Sequence, residues 1–216
     1  MSNQADSRSG LNLNALAFEQ LQHAQCRSQF NSPGISEHLL PSGTRVLDFG
    51  VNVAGSLQAG ALLANLCMAG LGEVSFVPGQ VDGIGVPTVQ VQTDRPVEAC
   101  LLSQYAGWRV SVDDYFGMGS GPMRAAAARE EIFEKLSWDE SPVAVAGVLE
   151  SAALPGDAVA EYLAERCGVE AAGVTLAVAP TASLSGTIQV VARSVETSLH
   201  KLFELGFDVR RIVSGF

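Results

Sequence analysis

The chain is sparing with charge, at 17% of 216 residues, and it lacks most of the patterns that announce a function outright. It has no basic run. Its 13 lysines and arginines are outnumbered by 23 acids, for a net charge of −10, which argues against a nucleic-acid footprint built on phosphate neutralisation. The four cysteines, Cys26, Cys67, Cys100 and Cys167, form no Cys-x-x-Cys pair, so zinc and dithiol redox motifs are unsupported. Cys67 and Cys100 stand in apolar surroundings and read as small core residues. No run of about 18 apolar residues is present, and the polar start, Met1 to Gly10, has no apolar signal core. The default expectation is a soluble cytoplasmic protein. The Gly-x-Ser-x-Gly elbow, the P-loop and the dinucleotide fingerprint are missing too. Among the histidines, His23 and His38 have no recognisable partners.

What is present is core. Hydrophobic content of 47% suits a globular chain of one large domain or two small ones. Helical periodicity covers 11–30. A nearly continuous β-prone run from Arg45 to Val53 reads as a strand, followed by a helix from Leu57 to Ala69. Strands are expected at 74–77 and 87–93, and a helix capped by Asp94 and Pro96 is expected to reach about Ala106. Further strands are read at 109–112, 143–149, 174–179 and from Arg211, with helices at 125–136 and 157–167. Such alternation predicts an α/β layered fold. We divide it into a disordered tail (1–10), a first α/β domain (11–110) and a second (111–216). Val51 to Leu57 and Ala177 to Leu184 are each a strand end, a small-residue turn, Ser-Leu and a long helix, which hints at an internal duplication.

Three loops invite a ligand. Gly117-Met118-Gly119-Ser120-Gly121-Pro122 has the composition of an anion cradle before a helix, to which Arg124 would add charge, though a plain tight turn explains it equally well. Asn52, Gly55 and Ser56 form a strand-to-helix mouth of the kind where open α/β sheets bind ligands. Thr181 and Ser183 occupy the matching turn. For Ser56 and Ser183 the structural alternative is simple helix capping.

The stretch Ala179 to Lys201 says most. Ile188, Val191, Val195, Leu199 and Leu202 recur at steps of three and four, a buried stripe. At about 100° per residue, Gln189, Arg193, Glu196 and His200 form a polar line beside it. On bare spacing, Arg193 and Glu196 read as a solvated i,i+3 pair adding only about 0.2–0.5 kcal/mol. Arginine before glutamate is, however, the less helpful order for the helix dipole. A polar line bordering a buried stripe can instead face a cleft, where a carboxylate held by an arginine can move protons.

Several blocks together resemble the methenyltetrahydromethanopterin cyclohydrolase family. They are Gly50-Val-Asn-Val-Ala-Gly-Ser56, Gln92-Thr-Asp-Arg-Pro96, Ser103-Gln-Tyr-Ala-Gly-Trp108, Tyr115-Phe-Gly-Met-Gly-Ser-Gly-Pro122, Ala179-Pro-Thr-Ala-Ser183 and Ala192-Arg-Ser-Val-Glu-Thr197. Arg95 stands where histidine is usual and Gly117 where alanine is usual. The wording is nearer the bacterial members, and the chain stops at Phe216 where members continue through a further third, so a fragment or natural truncation is expected. The resemblance implies a homotrimer of two-domain subunits with the pterin between domains, and neither metal nor redox cofactor. The implied reaction interconverts 5,10-methenyltetrahydromethanopterin plus water with the 5-formyl compound. Catalytic roles then fall on Arg193 and Glu196. Glu196 is expected to act as general base toward water and to favour the cation; Arg193 is expected to orient Glu196 and tune its pKa. Asn52, Ser56, Ser120, Gly121, Thr181 and Ser183 are the substrate-binding candidates. The competing readings are a truncated non-catalytic paralogue that binds pterin or phosphate, and a cyclohydrolase acting on methenyltetrahydrofolate.

Overall fold

In a computed structural model, residues 11–26 and 34–216 are described. The tail 1–10, the end of the first expected helix (27–30) and the Cys26 side chain lie outside the described residues.

In chain order the elements are α1 (Leu13–Cys26), β1 (Ser36–Leu39), β2 (Arg45–Asp48), α2 (Leu57–Cys67), β3 (Glu73–Val81), β4 (Ile84–Gln92), a π-helix (Val97–Gln104), β5 (Trp108–Val112) and β6 (Tyr115–Ser120). They continue with α3 (Met123–Ala127), α4 (Glu131–Lys135), β7 (Val145–Glu150), α5 (Asp157–Cys167), β8 (Val174–Ala179), α6 (Leu184–Val191) and α7 (Ser194–Glu204). The fold is α/β. Six strands form one mixed sheet in the order β1-β2-β8-β7-β6-β5, drawing strands from both sides of residue 110. The three central strands, β2, β8 and β7, are parallel, and the flanking pairs are antiparallel.

The parallel strands are buried on both faces, as their apolar runs require. Val174, Leu176 and Val178 of β8 point to α5 with Val145 and Leu149 of β7. Ala177, Ala179, Ala146 and Val148 point the other way, to α1 and α2. A third cluster gathers the π-helix, α7 and the base of the β3–β4 ribbon. That ribbon turns at Asp82-Gly83, whose φ values of +49° and +78° suit a two-residue hairpin turn that matches strand twist.

β2 ends five residues before the expected Val53. Asp48, fully buried, accepts hydrogen bonds from the amides of Gly50, Val51 and Asn52 at 2.6–2.8 Å. A side chain that satisfies three successive amides replaces the ladder with a turn. The expected duplication takes the form of two adjacent strand–turn–helix units. β2 leads to α2 and β8 to α6, β2 and β8 pair directly, and Ser56 and Ser183 cap the two helices.

α1 is pinned from far along the chain. Buried Glu140 accepts from the amides of Leu13 and Asn14, both at 3.0 Å, filling donors that a helix N-terminus leaves open. Asn14, also buried, donates to Glu140 and to the Pro122 carbonyl and accepts from the Ala146 amide in β7. Asn14→Leu orphans the Pro122 carbonyl and the Ala146 amide and takes one of three donors from Glu140. It is expected to destabilise the fold by about 3 kcal/mol, measured as a lowered urea midpoint with unchanged slope.

Candidate functional site

Of the Gly117–Pro122 segment, Gly117–Ser120 is the end of strand β6 rather than a cradle, and Gly121 and Pro122 turn into α3. Gly117 and Gly119 pair with Val110 and Trp108 of β5, and Ser120 with Val148 of β7. Gly121, at φ +85°, donates its amide to the Ser103 carbonyl at 2.8 Å. The glycines serve close packing: a Cβ on Gly119 would meet Met123 and Trp108 at 3.0–3.3 Å. Arg124 does not face a ligand either. It is buried, donates to the Leu101 and Ser103 carbonyls, pairs with Glu130 at 2.5 Å, and lies over the rings of Tyr105 and Phe133.

The expected long helix breaks. α6 stops at Val191 and α7 starts at Ser194, with Ala192 and Arg193 between them. The break turns Val191 outward, to 52% exposure, and carries the polar line inward. Gln189, Arg193 and Glu196 are 1%, 8% and 5% exposed. The solvated surface pair suggested by bare spacing is therefore wrong.

Arg193 is the hub. Its Nη2 donates to Glu150 Oε1 at 2.9 Å and to Ser120 Oγ at 3.2 Å, and it lies 3.8 Å from Cys67 Sγ. Its Nη1 donates to the Gln104 carbonyl. Gln104 is the last residue of the π-helix, whose end presents carbonyls to two arginines: Leu101 and Ser103 to Arg124, Gln104 to Arg193. Cations are favoured at such a terminus, and π-turns often mark functional sites. Cys67 is a core thiol that also belongs to the cluster, 3.3 Å from Ser120 Oγ and accepting from Gln189 Nε2 at 3.5 Å. Among the described residues Gln104 Oε1, Gln189 Oε1 and Arg193 Nε are buried without a hydrogen-bond partner. They leave two acceptors and one donor for a bound group.

Glu196 sits on the first turn of α7 and makes no hydrogen bond or ion pair among the described residues. Burial pushes its pKa above the ordinary carboxylate value; Arg193, His200 and Arg124 act against burial, and Glu150 acts with it. Burial wins the contest that the sequence left open. His200, one turn on, stacks on Tyr105 with ring centroids 4.2 Å apart, and its Nδ1 is 3.9 Å from Glu204. Burial likewise pushes the nearby Cys100 thiol up, with Glu196 adding to the shift.

Glu150 is the residue that sequence reading missed. It closes β7, in register with Ala179 of β8 and Met118 of β6. Period-two alternation puts it on the face of Ala146 and Val148. That face, at the carboxyl end of the parallel strands, is where such sheets bind ligands. An acid ending the apolar run Val-Ala-Gly-Val-Leu-Glu150 was the available signal.

Most of the other candidates lie at the same end of the sheet, in the turns after β2 and β8. Ser56 Oγ accepts from the Ala59 amide and Ser183 Oγ from the Gly186 amide, both at 3.0 Å, so both cap helices. Asn52 and Thr181 are exposed. The two turns abut: a Cβ on Gly50 would lie 2.4 Å from Ser183 Oγ. Ser120 joins the Arg193 cluster, while Asn52, Ser56, Thr181 and Ser183 form a rim. Among the described residues no group of three or more His, Cys, Asp or Glu side chains is placed to hold a metal, and no helix is long and apolar enough to cross a membrane.

The family profile described as cyclohydrolase (MCH) matches residues 12–216. The chain is 45% identical over 183 residues to a protein of Methanococcoides burtonii named methenyltetrahydromethanopterin cyclohydrolase, an alignment covering 84% of this chain and 57% of the relative. A protein of the same name from Rhodopirellula baltica is 47% identical over 198 residues, covering 89% and 60%. Another, from Methanospirillum hungatei, is 43% identical over 208 residues, covering 95% and 65%. The chain thus spans roughly three fifths of the length of these relatives.

Proposed function

The chain belongs to the cyclohydrolase (MCH) family, and from that premise we propose that it interconverts 5,10-methenyltetrahydromethanopterin plus water with 5-formyltetrahydromethanopterin. The observation that carries the proposal is Glu196: a buried carboxylate without a direct partner, its pKa raised, one turn after an arginine anchored elsewhere.

The methenyl carbon lies between two nitrogens in an amidinium-like cation and is already electrophilic. The protein has to place water and take its proton. Glu196 is the base. A raised pKa brings its proton affinity nearer to neutral pH, where acid–base catalysis is most effective. After attack, protonated Glu196 returns the proton to the nitrogen that leaves as the ring opens. The carboxylate so regenerated takes the adduct's hydroxyl proton as the formyl carbonyl forms, and one proton is released overall. Ionised Glu196 also favours the cation electrostatically. Arg193 does not grip Glu196 as expected from the sequence; its hydrogen bonds go to Glu150, Ser120 and Gln104. It acts on Glu196 through its charge, holding the carboxyl's pKa below what burial alone would give. Asn52, Ser56, Thr181 and Ser183 bind the substrate's polar tail from the rim, and Ser120 and Gly121 border the reacting end. Within the same proposal the enzyme is a cytoplasmic homotrimer of two-domain subunits, with the pterin between domains and no metal or redox cofactor.

The test is loss of methenyl-pterin absorbance on adding the purified chain, run in parallel with methenyltetrahydrofolate. Turnover of the methanopterin compound, with the folate slower, is expected. No turnover of either overturns the proposal.

A further inference from the structure

The ion pair between Arg193 and Glu150 has a consequence for charge at the site. An arginine beside a cationic one-carbon bridge repels it, and one beside a lone glutamate cancels the carboxylate that would attract it. Neither problem arises when a second acid engages the guanidinium. Glu150 does so from β7 with Oε1 at 2.9 Å from Nη2, both side chains largely out of water at 17% and 10% exposure. The same nitrogen lies 3.2 Å from Ser120 Oγ, and Nη1 is spent on the Gln104 carbonyl. The guanidinium is thus fixed from three elements: β7, β6 and the end of the π-helix. Glu196 is left without a hydrogen bond.

We infer that Glu150 is a positioning and charge-compensating residue: it holds Arg193 away from the reacting carbon and leaves the Glu150–Arg193–Glu196 trio with one net negative charge for a cationic substrate. This rests on the proposed reaction for its substrate, but not for its geometry. The trio explains why an arginine can stand close to the proposed base without emptying the site of negative potential. Among side chains largely out of water, unit charges a few ångströms apart act strongly on one another, so the third charge decides the sign of the field.

The groups facing Glu196 are Arg193 from the break before its helix, His200 from its own helix, Arg124 from α3 and Glu150 from β7. Tyr105 and Cys100, from the π-helix and its end, feel Glu196 in turn. Of these, only Glu150 adds negative charge and raises the Glu196 pKa by doing so. Removing it frees Arg193 from its counter-charge, and the two effects share one sign.

The experiment is Glu150→Gln in the full chain. Carbon-13 NMR of glutamate-labelled protein follows the Glu196 carboxyl, identified by its loss in Glu196→Gln. The Glu196 titration is expected to move to lower pH in Glu150→Gln. KM for the methenyl pterin is expected to rise about tenfold, and kcat/KM to fall on the order of 10²-fold, as expected when a positioning group is displaced by about an ångström. Glu150→Asp keeps the charge on a shorter arm: its Glu196 titration stays near wild type while kcat falls. It also serves if Glu150→Gln does not fold. An unchanged Glu196 titration in Glu150→Gln, or an Asp variant whose titration shifts as far as the Gln variant's, overturns the inference. Because the titration needs no substrate, this outcome is separate from failure of the proposed reaction, which shows as a wild-type chain without turnover.

Discussion

Glu196→Gln is expected to lower turnover by about 10²–10⁴-fold, the usual contribution of a placed general base, while leaving pterin binding measurable by fluorescence quenching. The same change is expected to stabilise the fold at neutral pH. The sign follows from linkage. The native carboxyl has a pKa above its ordinary value because burial penalises the ionised form. Between the unfolded and native pKa values the native state binds more protons, so stability falls as pH rises through that window. Above the native pKa the penalty is present in full. Glutamine carries no such penalty, so the variant should melt above wild type at pH 7. The two should converge as pH drops through the ordinary glutamate range. A variant that is slow and less stable at every pH would show that Glu196 is structural, and near-normal turnover would remove it as the base.

Arg193→Ala is the second large effect. It strips the guanidinium from Glu150, from Ser120 and from the Gln104 carbonyl at once. Breaking a largely buried ion pair from one side costs about 3–5 kcal/mol, because the remaining charge has no partner. The unfolding midpoint in urea should report it. Turnover should fall severely as well, with a specific signature. Arg193 lowers the Glu196 pKa, so its loss should move the acid limb of the pH–rate profile upward, opposite to Glu150→Gln. An unmoved limb would leave Arg193 a purely structural residue.

How much of this could be read from the chain depended on the range of the interactions. α5 and β8 fall at the residues expected, 157–167 and 174–179, because their boundaries are set by local periodicity and by Gly168 at φ +69°. β2 stops early because one side chain, Asp48, takes three amides that a strand would have placed in a ladder. The glycine-rich segment 117–122 has turn composition, yet its first four residues belong to β6, since strand partners on both sides outweigh local preference. Arg193 and Glu196 were visible as an i,i+3 pair, but their burial was not: it depends on the break at Ala192-Arg193, which shifts the phase of the apolar stripe. Glu150 lies 43 residues before Arg193, and no spacing rule joins them. Only sheet topology brings the two together.

The sheet order also dictates when this protein can be made whole. β2 reaches its inner neighbour only in β8, with Arg45 opposite Thr175, and α1 is tied down by Asn14, Glu140 and Ala146. At synthesis rates of about 5–20 residues per second, the early segments emerge from the ribosome roughly ten seconds before those partners. During that wait the apolar faces of β2 and α2 remain without their final cover, which makes the nascent chain a natural client for chaperones and predicts slow folding from its long-range pairings.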